Sequence, residues 1–120
     1  MTHAEIDEVV TNWANAIAEQ INEGEVERDE PHDAIFEAVD DGWTELGMPA
    51  GRIDEWPSNP GGEVLRGLGD IIDYCESEAW LEDDYGLWEG LNGAAVLGCQ
   101  AFFSLQNVLW QKLRDMNVID

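Results

Sequence analysis

The sequence of 120 residues combines a large apolar fraction with a strong excess of acids. Hydrophobic residues make up 44% of it, including six tryptophans, which is enough to bury a core without metal or disulfide crosslinks. Asp and Glu number 27 against five Lys and Arg, a formal net charge of −22. This balance excludes direct nucleic-acid binding, which depends on cations that neutralise phosphates. We expect one acidic domain spanning residues 1–120.

The first predicted helix begins at Thr2 and ends near Gly24. Thr2 and Glu5 have the spacing of a capping box, in which each residue satisfies a backbone N–H of the other. Hydrophobic residues then recur every three or four positions, at Ile6, Val9, Val10, Trp13, Ile17 and Ile21. This period predicts a buried stripe along an amphipathic helix.

A second helix is predicted within RDEPHDAIFEAVDDGWTELG, residues 28–47. Asp29 is the candidate N-cap, Pro31 suits the first turn and Gly47 suits the stop. The predicted buried stripe consists of Ile35, Val39, Trp43 and Leu46.

Prolines and glycines mark residues 48–62 as a loop, a plain connection or a lid over a site. A third helix starts at Glu63, because apolar residues then follow a regular helical face. They are Val64, Leu65, Leu68, Ile71, Ile72 and Cys75. Cys75 and Cys99 both lie on apolar faces, where free thiols behave as small hydrophobic groups. We expect both to be reduced in a cytoplasmic protein, and no secretory signal precedes them.

The segment GLNGAAVLGCQAFFSLQNVLWQ, residues 90–111, contains 22 residues without a charge. Its length suits a membrane span, but its amide and hydroxyl side chains would be costly in hydrocarbon, so we expect no membrane insertion. Small residues form one stripe, at Gly90, Ala94 and Gly98. Uncharged polar residues form another, at Asn92, Gln100, Asn107 and Gln111. The segment is either a central core helix or the interface of a homodimer through residues 90–111.

Residue patterns that support catalysis or metal binding are not found in the sequence. His3 and His32 are the only histidines, and neither has the spacing of a metal site. No calcium loop, phosphate-binding glycine loop or nucleophile elbow fits. Paired carboxylates such as Asp40 and Asp41 arise by chance among so many acids. We expect no enzyme activity and no cofactor.

The number of acids suggests a comparison with DNA. A domain of this length has a radius of gyration of about 14 Å and so a diameter of roughly 35 Å. Duplex DNA of that length carries roughly 20 charges, close to the net charge of −22. The sequence therefore predicts a DNA-mimic surface that binds a basic protein. The candidate residues are Asp29, Glu30, Asp33, Glu37, Asp40, Asp41, Asp73, Glu76, Glu78, Glu82, Asp83, Asp84, Glu89 and Trp88.

The stretch SEAWLEDDYGLWEG, residues 77–90, places acids among aromatic side chains with no Lys or Arg. As a mimic surface, it would bury Trp80, Leu81 and Trp88 and thereby fix where its carboxylates point. As a docking loop, it would instead present one aromatic anchor to a partner, such as Trp80, Tyr85 or Trp88. Salt adaptation is a third explanation of the acids. The large hydrophobic residues and the slight excess of Glu over Asp argue against it.

The segment RDEPHDAIFEAVDD, residues 28–41, resembles one in the Ocr-type antirestriction proteins of phages. There, a similar acidic lead precedes His-Asp-Ala-Ile and a helix with further acids. It also resembles a segment of small acidic phage and plasmid proteins. The Ocr-type proteins are helical homodimers whose acidic surface imitates B-form DNA and blocks type I restriction enzymes. The resemblance implies phosphate mimicry by Asp29, Glu30, Asp33, Asp40 and Asp41.

These observations together predict an all-α fold, a compact bundle of four to five helices with a long, mostly uncharged C-terminal helix. We expect an anti-defence inhibitor from a phage or plasmid that occupies the DNA-binding channel of a restriction or CRISPR enzyme in the host cytoplasm. One alternative is an acidic adaptor or antitoxin-like module that docks a basic partner through its aromatic loop. Another is a salt-adapted protein of different role.

Overall fold

The computed structural model describes residues 1–49, 61–82 and 94–119, which form an all-α bundle without strands. The described residues contain four α-helices: α1 His3–Asn22, α2 His32–Gly42, α3 Gly62–Glu78 and α4 Ala94–Asp115. A short 3-10 helix, Trp43–Leu46, directly follows α2. The predicted fold class is confirmed. The predicted loop lies almost wholly outside the described residues, so the choice between connection and lid stays open.

Helix α1 begins as its capping box predicts. The Oγ1 of Thr2 accepts a hydrogen bond from the Glu5 N–H at 3.2 Å, and the Thr2 N–H donates to Oε1 of Glu5 at 3.0 Å. The bond from the Thr2 backbone N–H, and secondarily a bond from the Thr2 side chain, holds the pKa of the Glu5 carboxyl below its usual value. Of the predicted stripe, Ile6, Val10, Trp13 and Ile17 are buried, while Val9 and Ile21 pack against the core half-buried.

Helix α2 starts later than predicted, and Asp29 does not cap it. Pro31 is the N-cap residue, without a side-chain capping bond. Because the Glu30 N–H turns back onto the Glu27 carbonyl, Asp29 lies in a turn that precedes the helix. The predicted stop is confirmed, since Gly47 ends the 3-10 helix with a φ of 82° that favours glycine. The predicted stripe of Ile35, Val39, Trp43 and Leu46 is buried.

Helix α3 buries most of its predicted face. Leu68, Ile71 and Cys75 are buried, and burial raises the pKa of the Cys75 thiol to about 12. Leu65, however, is 39% exposed. It lies at the edge of the apolar face, where the neighbouring helices no longer cover the surface.

Helix α4 is central to the bundle, because it packs against α1, α2 and α3. Its buried residues include Ala101, Leu105, Leu109 and Leu113. None of the described helices combines the length and the apolar character needed to cross a membrane.

Two residues of the predicted polar stripe on α4 form hydrogen bonds within the chain. Asn107 Nδ2 donates to the Trp80 carbonyl at 3.3 Å, and Gln111 Nε2 donates to Asp115 Oδ1 at 2.9 Å. Gly90 and Asn92 lie outside the described residues. The homodimer through residues 90–111 stays a prediction.

Candidate partner-binding surfaces

A groove between α1 and α2 collects carboxylates from three parts of the chain. It consists of two adjoining hollows of ≈ 260 and ≈ 390 Å³ that share Gln20, Ala34 and Glu37. Its acids are Glu25, Glu27, Glu30, Asp33, Glu37, Asp41 and Glu45. No Lys or Arg is among the described residues that line it. We call this the acidic groove.

Helix α2 sets the spacing of carboxylates along the acidic groove. Asp33, Glu37 and Asp41 are four residues apart, so they follow one side of the helix over about 12 Å. All three are exposed, and none of their carboxylates forms a hydrogen bond or ion pair with another described residue. Like charges at this spacing lie about 5–6 Å apart and repel one another. We call these three carboxylates the row. They are available to bind cationic groups of a partner.

Trp13 of α1 lines the groove and is held in place by two neighbours. Its indole Nε1 donates a hydrogen bond to Oε2 of Glu45 at 3.0 Å. Gly42 permits this packing, because a Cβ at that position would overlap the indole ring. The same arrangement fixes one carboxylate oxygen of Glu45 beside the groove.

The structure brings together some of the predicted surface residues of the second helix. Glu30, Asp33, Glu37 and Asp41 line the acidic groove, whereas Asp29 and Asp40 are exposed but do not line it. Three acids of the groove were not predicted as site residues: Glu25, Glu27 and Glu45. The position of Glu45, four residues after Asp41, was an available signal.

The predicted acids of the third helix form a separate group. Asp73, Glu76 and Glu78 are exposed on α3 and do not line the acidic groove. A mimic surface that includes them extends beyond the groove.

Residues 79–82 leave α3 and pass beside α4. The Glu82 N–H donates to Oγ of Ser104 at 3.0 Å, and the Trp80 carbonyl accepts the bond from Asn107. These two bonds anchor the backbone. The Trp80 side chain is 51% exposed, so the burial expected of a mimic surface is wrong for this residue, whereas a docking loop would expose it. Leu81 and Glu82 are half-buried. The other predicted residues, Asp83, Asp84, Trp88 and Glu89, lie outside the described residues, as does Tyr85.

The exposed indole of Trp80 borders a separate hollow of ≈ 270 Å³, apart from the two of the acidic groove. Its lining consists of His32, Ile35, Trp80, Gln106, Asn107 and Trp110. The His32 and Trp110 rings stack with centroids 5.0 Å apart and an interplanar angle of 24°. We call this hollow the aromatic groove. Sequence reasoning did not find it as a site, because it joins α2, α4 and the segment after α3.

The described residues contain no group of three or more His, Cys, Asp or Glu side chains that could hold a metal ion. The fold and these surfaces define an acidic all-α bundle with two candidate binding grooves. No protein-family model, curated protein or solved structure matches the chain.

Proposed function

We propose that the protein is an acidic DNA mimic, an anti-defence inhibitor from a phage or plasmid. It occupies the DNA-binding channel of a restriction or CRISPR enzyme in the host cell. The observation that carries the proposal is the row of Asp33, Glu37 and Asp41, exposed and without cationic partners among the described residues.

The charge density of the molecule supports the same proposal. The longest dimension is 42 Å, and the formal net charge is −22. Duplex DNA of that length carries about 25 negative charges. A channel built to hold duplex therefore meets a comparable charge over a comparable length.

Inhibition by this mechanism requires binding alone. Lys and Arg side chains of the channel contact carboxylates instead of phosphates, and the channel is then closed to DNA. The complex is expected to weaken as salt concentration rises, because added ions screen these exposed charges.

Displacement of labelled duplex DNA from a purified type I restriction enzyme, and in parallel from a CRISPR effector complex, tests the proposal. The triple variant Asp33→Asn, Glu37→Gln, Asp41→Asn removes the three negative charges of the row. We call it the row variant. The control variant Glu8→Gln, Glu19→Gln, Glu23→Gln removes the same charge from exposed positions on α1 and at its C-cap, outside the groove.

For at least one enzyme, we expect the wild-type protein to displace DNA at about 50 mM salt, where screening is weak. The row variant should need about tenfold more protein, and the control variant about twofold more. Failure of the wild-type protein to displace DNA from either enzyme would contradict the proposed targets. An equal loss of DNA displacement in the row variant and the control variant would show that net charge, and not the row, determines binding.

The exposed Trp80 favours a second candidate function, an acidic adaptor or antitoxin-like module that docks a basic protein through an aromatic anchor. This module would bind its partner without competing with DNA. Trp80→Ala would then abolish binding, whereas the row variant would retain most of it.

A further inference from the structure

The aromatic groove lies between two segments that are held in place by contacts with α4. Residues 80–82 are fixed to α4 through Asn107 and Ser104. On the opposite side, the His32 ring of α2 is stacked on Trp110. The groove therefore has formed walls, and the Trp80 indole stands at its edge with half of its surface exposed.

Gln106 supplies an unsatisfied polar group in this groove. Its Nε2 is buried and has no hydrogen-bond acceptor among the described residues. Such a donor is costly when left unpaired, which is why buried polar groups normally have partners. Rotation of the Gln106 side chain would bring Nε2 to the surface of the groove, where a main-chain carbonyl of a bound polypeptide could accept its hydrogen bond.

The charges of the chain segments that carry His32 and Trp80 indicate what kind of polypeptide binds. Asp29, Glu30 and Asp33 flank His32 along the chain, and Glu82 follows Trp80 closely. The predicted homodimer through residues 90–111 competes with a ligand for this groove, since Gln106, Asn107 and Trp110 belong to both. A second copy of this chain would add another net charge of −22, so repulsion disfavours it as the occupant. A basic segment is complementary to the surroundings.

Arginine fits an acidic surface with exposed indole better than lysine does. Its guanidinium group is planar and weakly hydrated, and it stacks on aromatic faces. The ammonium group of lysine is compact and strongly hydrated, so it loses more on leaving water.

We propose that the aromatic groove binds an arginine-bearing, extended segment of a basic protein. The guanidinium stacks on the indole of Trp80. The Gln106 side chain turns toward the groove, and a main-chain carbonyl of the segment accepts a hydrogen bond from its Nε2. The inference rests on the proposed function only in that the partner is a basic protein.

Two fluorescein-labelled peptides of equal charge test the ligand chemistry. One is Gly-Arg-Gly-Arg-Gly-amide and the other replaces both arginines with lysine. Fluorescence anisotropy with the full chain at about 50 mM salt measures the affinity of each. We expect the arginine peptide to bind about three- to tenfold more tightly.

In the Trp80→Ala variant, the ratio of the affinities of the arginine and lysine peptides should fall close to one. Leu65→Ala is the matched control, because Leu65 is also exposed but lies on α3 away from the groove. The control should retain the preference. No arginine preference in the wild-type protein, or a preference that survives in Trp80→Ala, would overturn the proposal.

The Gln106→Met variant separates binding from structural support. It keeps the length of the side chain and removes the unpaired donor, so the free energy of unfolding should be unchanged or higher. Both peptides should bind about threefold more weakly, because each offers the same main-chain carbonyls. A less stable variant with unchanged peptide affinity would contradict the role given to Nε2.

The row variant of the acidic groove distinguishes this inference from the proposed function. It should weaken both peptides equally and leave the ratio of their affinities intact. If the protein displaces no DNA but keeps an arginine preference that depends on Trp80, the mimic proposal fails alone. If DNA is displaced without such a preference, the aromatic-groove proposal fails alone.

Discussion

Lys112, the only lysine in the chain, donates a hydrogen bond from Nζ to Oδ1 of Asp7 at 2.8 Å. The hydroxyl of Tyr74 donates to the same oxygen at 2.8 Å, so one carboxylate links α1, α3 and α4. The bond from Lys112, and secondarily that from Tyr74, holds the pKa of the Asp7 carboxyl below its usual value. Burial and the bond to Asp7 raise the pKa of Tyr74.

The Asp7→Asn variant should reveal this link through its pH dependence. Because the pKa of Asp7 is lowered in the folded state, its stabilising contribution is fully present above pH of about 4 and is lost as the pH falls further. Asp7 is 44% exposed, so solvent weakens the contribution. We expect the variant to lose about 1 kcal/mol at neutral pH and the difference from wild type to shrink toward pH of about 2.

Urea unfolding of both proteins at several pH values measures this difference. Lys112→Met should show a similar loss at neutral pH, because it removes the other side of the ion pair. A deficit that is the same at every pH would indicate lost packing instead of lost charge.

Gly42 and Gly69 provide a matched pair of helical glycines. In Gly42→Ala, the new methyl group would overlap the Trp13 indole, so the variant should lose about 1–3 kcal/mol of stability through overpacking. In Gly69→Ala, the methyl group meets no atom within 4 Å, and the better helix propensity should add up to about 1 kcal/mol. Urea unfolding at neutral pH compares them. Equal effects would show that Trp13 does not pack on Gly42 as described.

Cys75 should be chemically inert while the protein is folded. The thiol is buried, and burial raises its pKa to about 12, so almost no thiolate exists at neutral pH. In a Cys99→Ser background, a disulfide reagent should react with Cys75 only after urea is added. Rapid reaction without denaturant would mean that α3 opens readily.

The helices could be predicted from the sequence because their signals are local. The Thr2 and Glu5 capping box and the spacing of Ile6, Val10 and Trp13 depend only on helix period. Asp29 had a suitable chemistry for a cap, but the turn before Pro31 moved the helix start. Such competition between adjacent signals is decided by backbone geometry.

The two grooves could not be predicted in the same way, since each depends on which helices become neighbours. The spacing of the acids on α2 predicts that they lie on one exposed face. That they lie close to Glu25 and Glu27 depends on how α1 and α2 pack together. The sequence leaves two positions open for the Trp80 side chain: buried beneath a mimic surface, or exposed as the anchor of a docking loop. The carbonyl of Trp80 accepts a hydrogen bond from Asn107, and its side chain is 51% exposed, an outcome that depends on how the segment after α3 meets α4.

Salt dependence of stability distinguishes a surface built for cationic partners from salt adaptation. Asp33, Glu37 and Asp41 repel one another in the free protein, and each pair four residues apart costs about 0.2–0.5 kcal/mol. The row variant should therefore be more stable than wild type at about 50 mM salt by up to about 1 kcal/mol. The advantage should disappear near 1 M salt, where the Debye length falls to about 3 Å.

In a salt-adapted protein, the acids would support the fold at high salt, so the row variant would be less stable there and the wild type would unfold as salt is withdrawn. Urea unfolding followed by far-ultraviolet circular dichroism at both salt concentrations decides between them. If the wild type is folded at low salt and the row variant is more stable there, the three carboxylates destabilise the free protein. That result is expected of a surface that binds a cationic partner and contradicts salt adaptation.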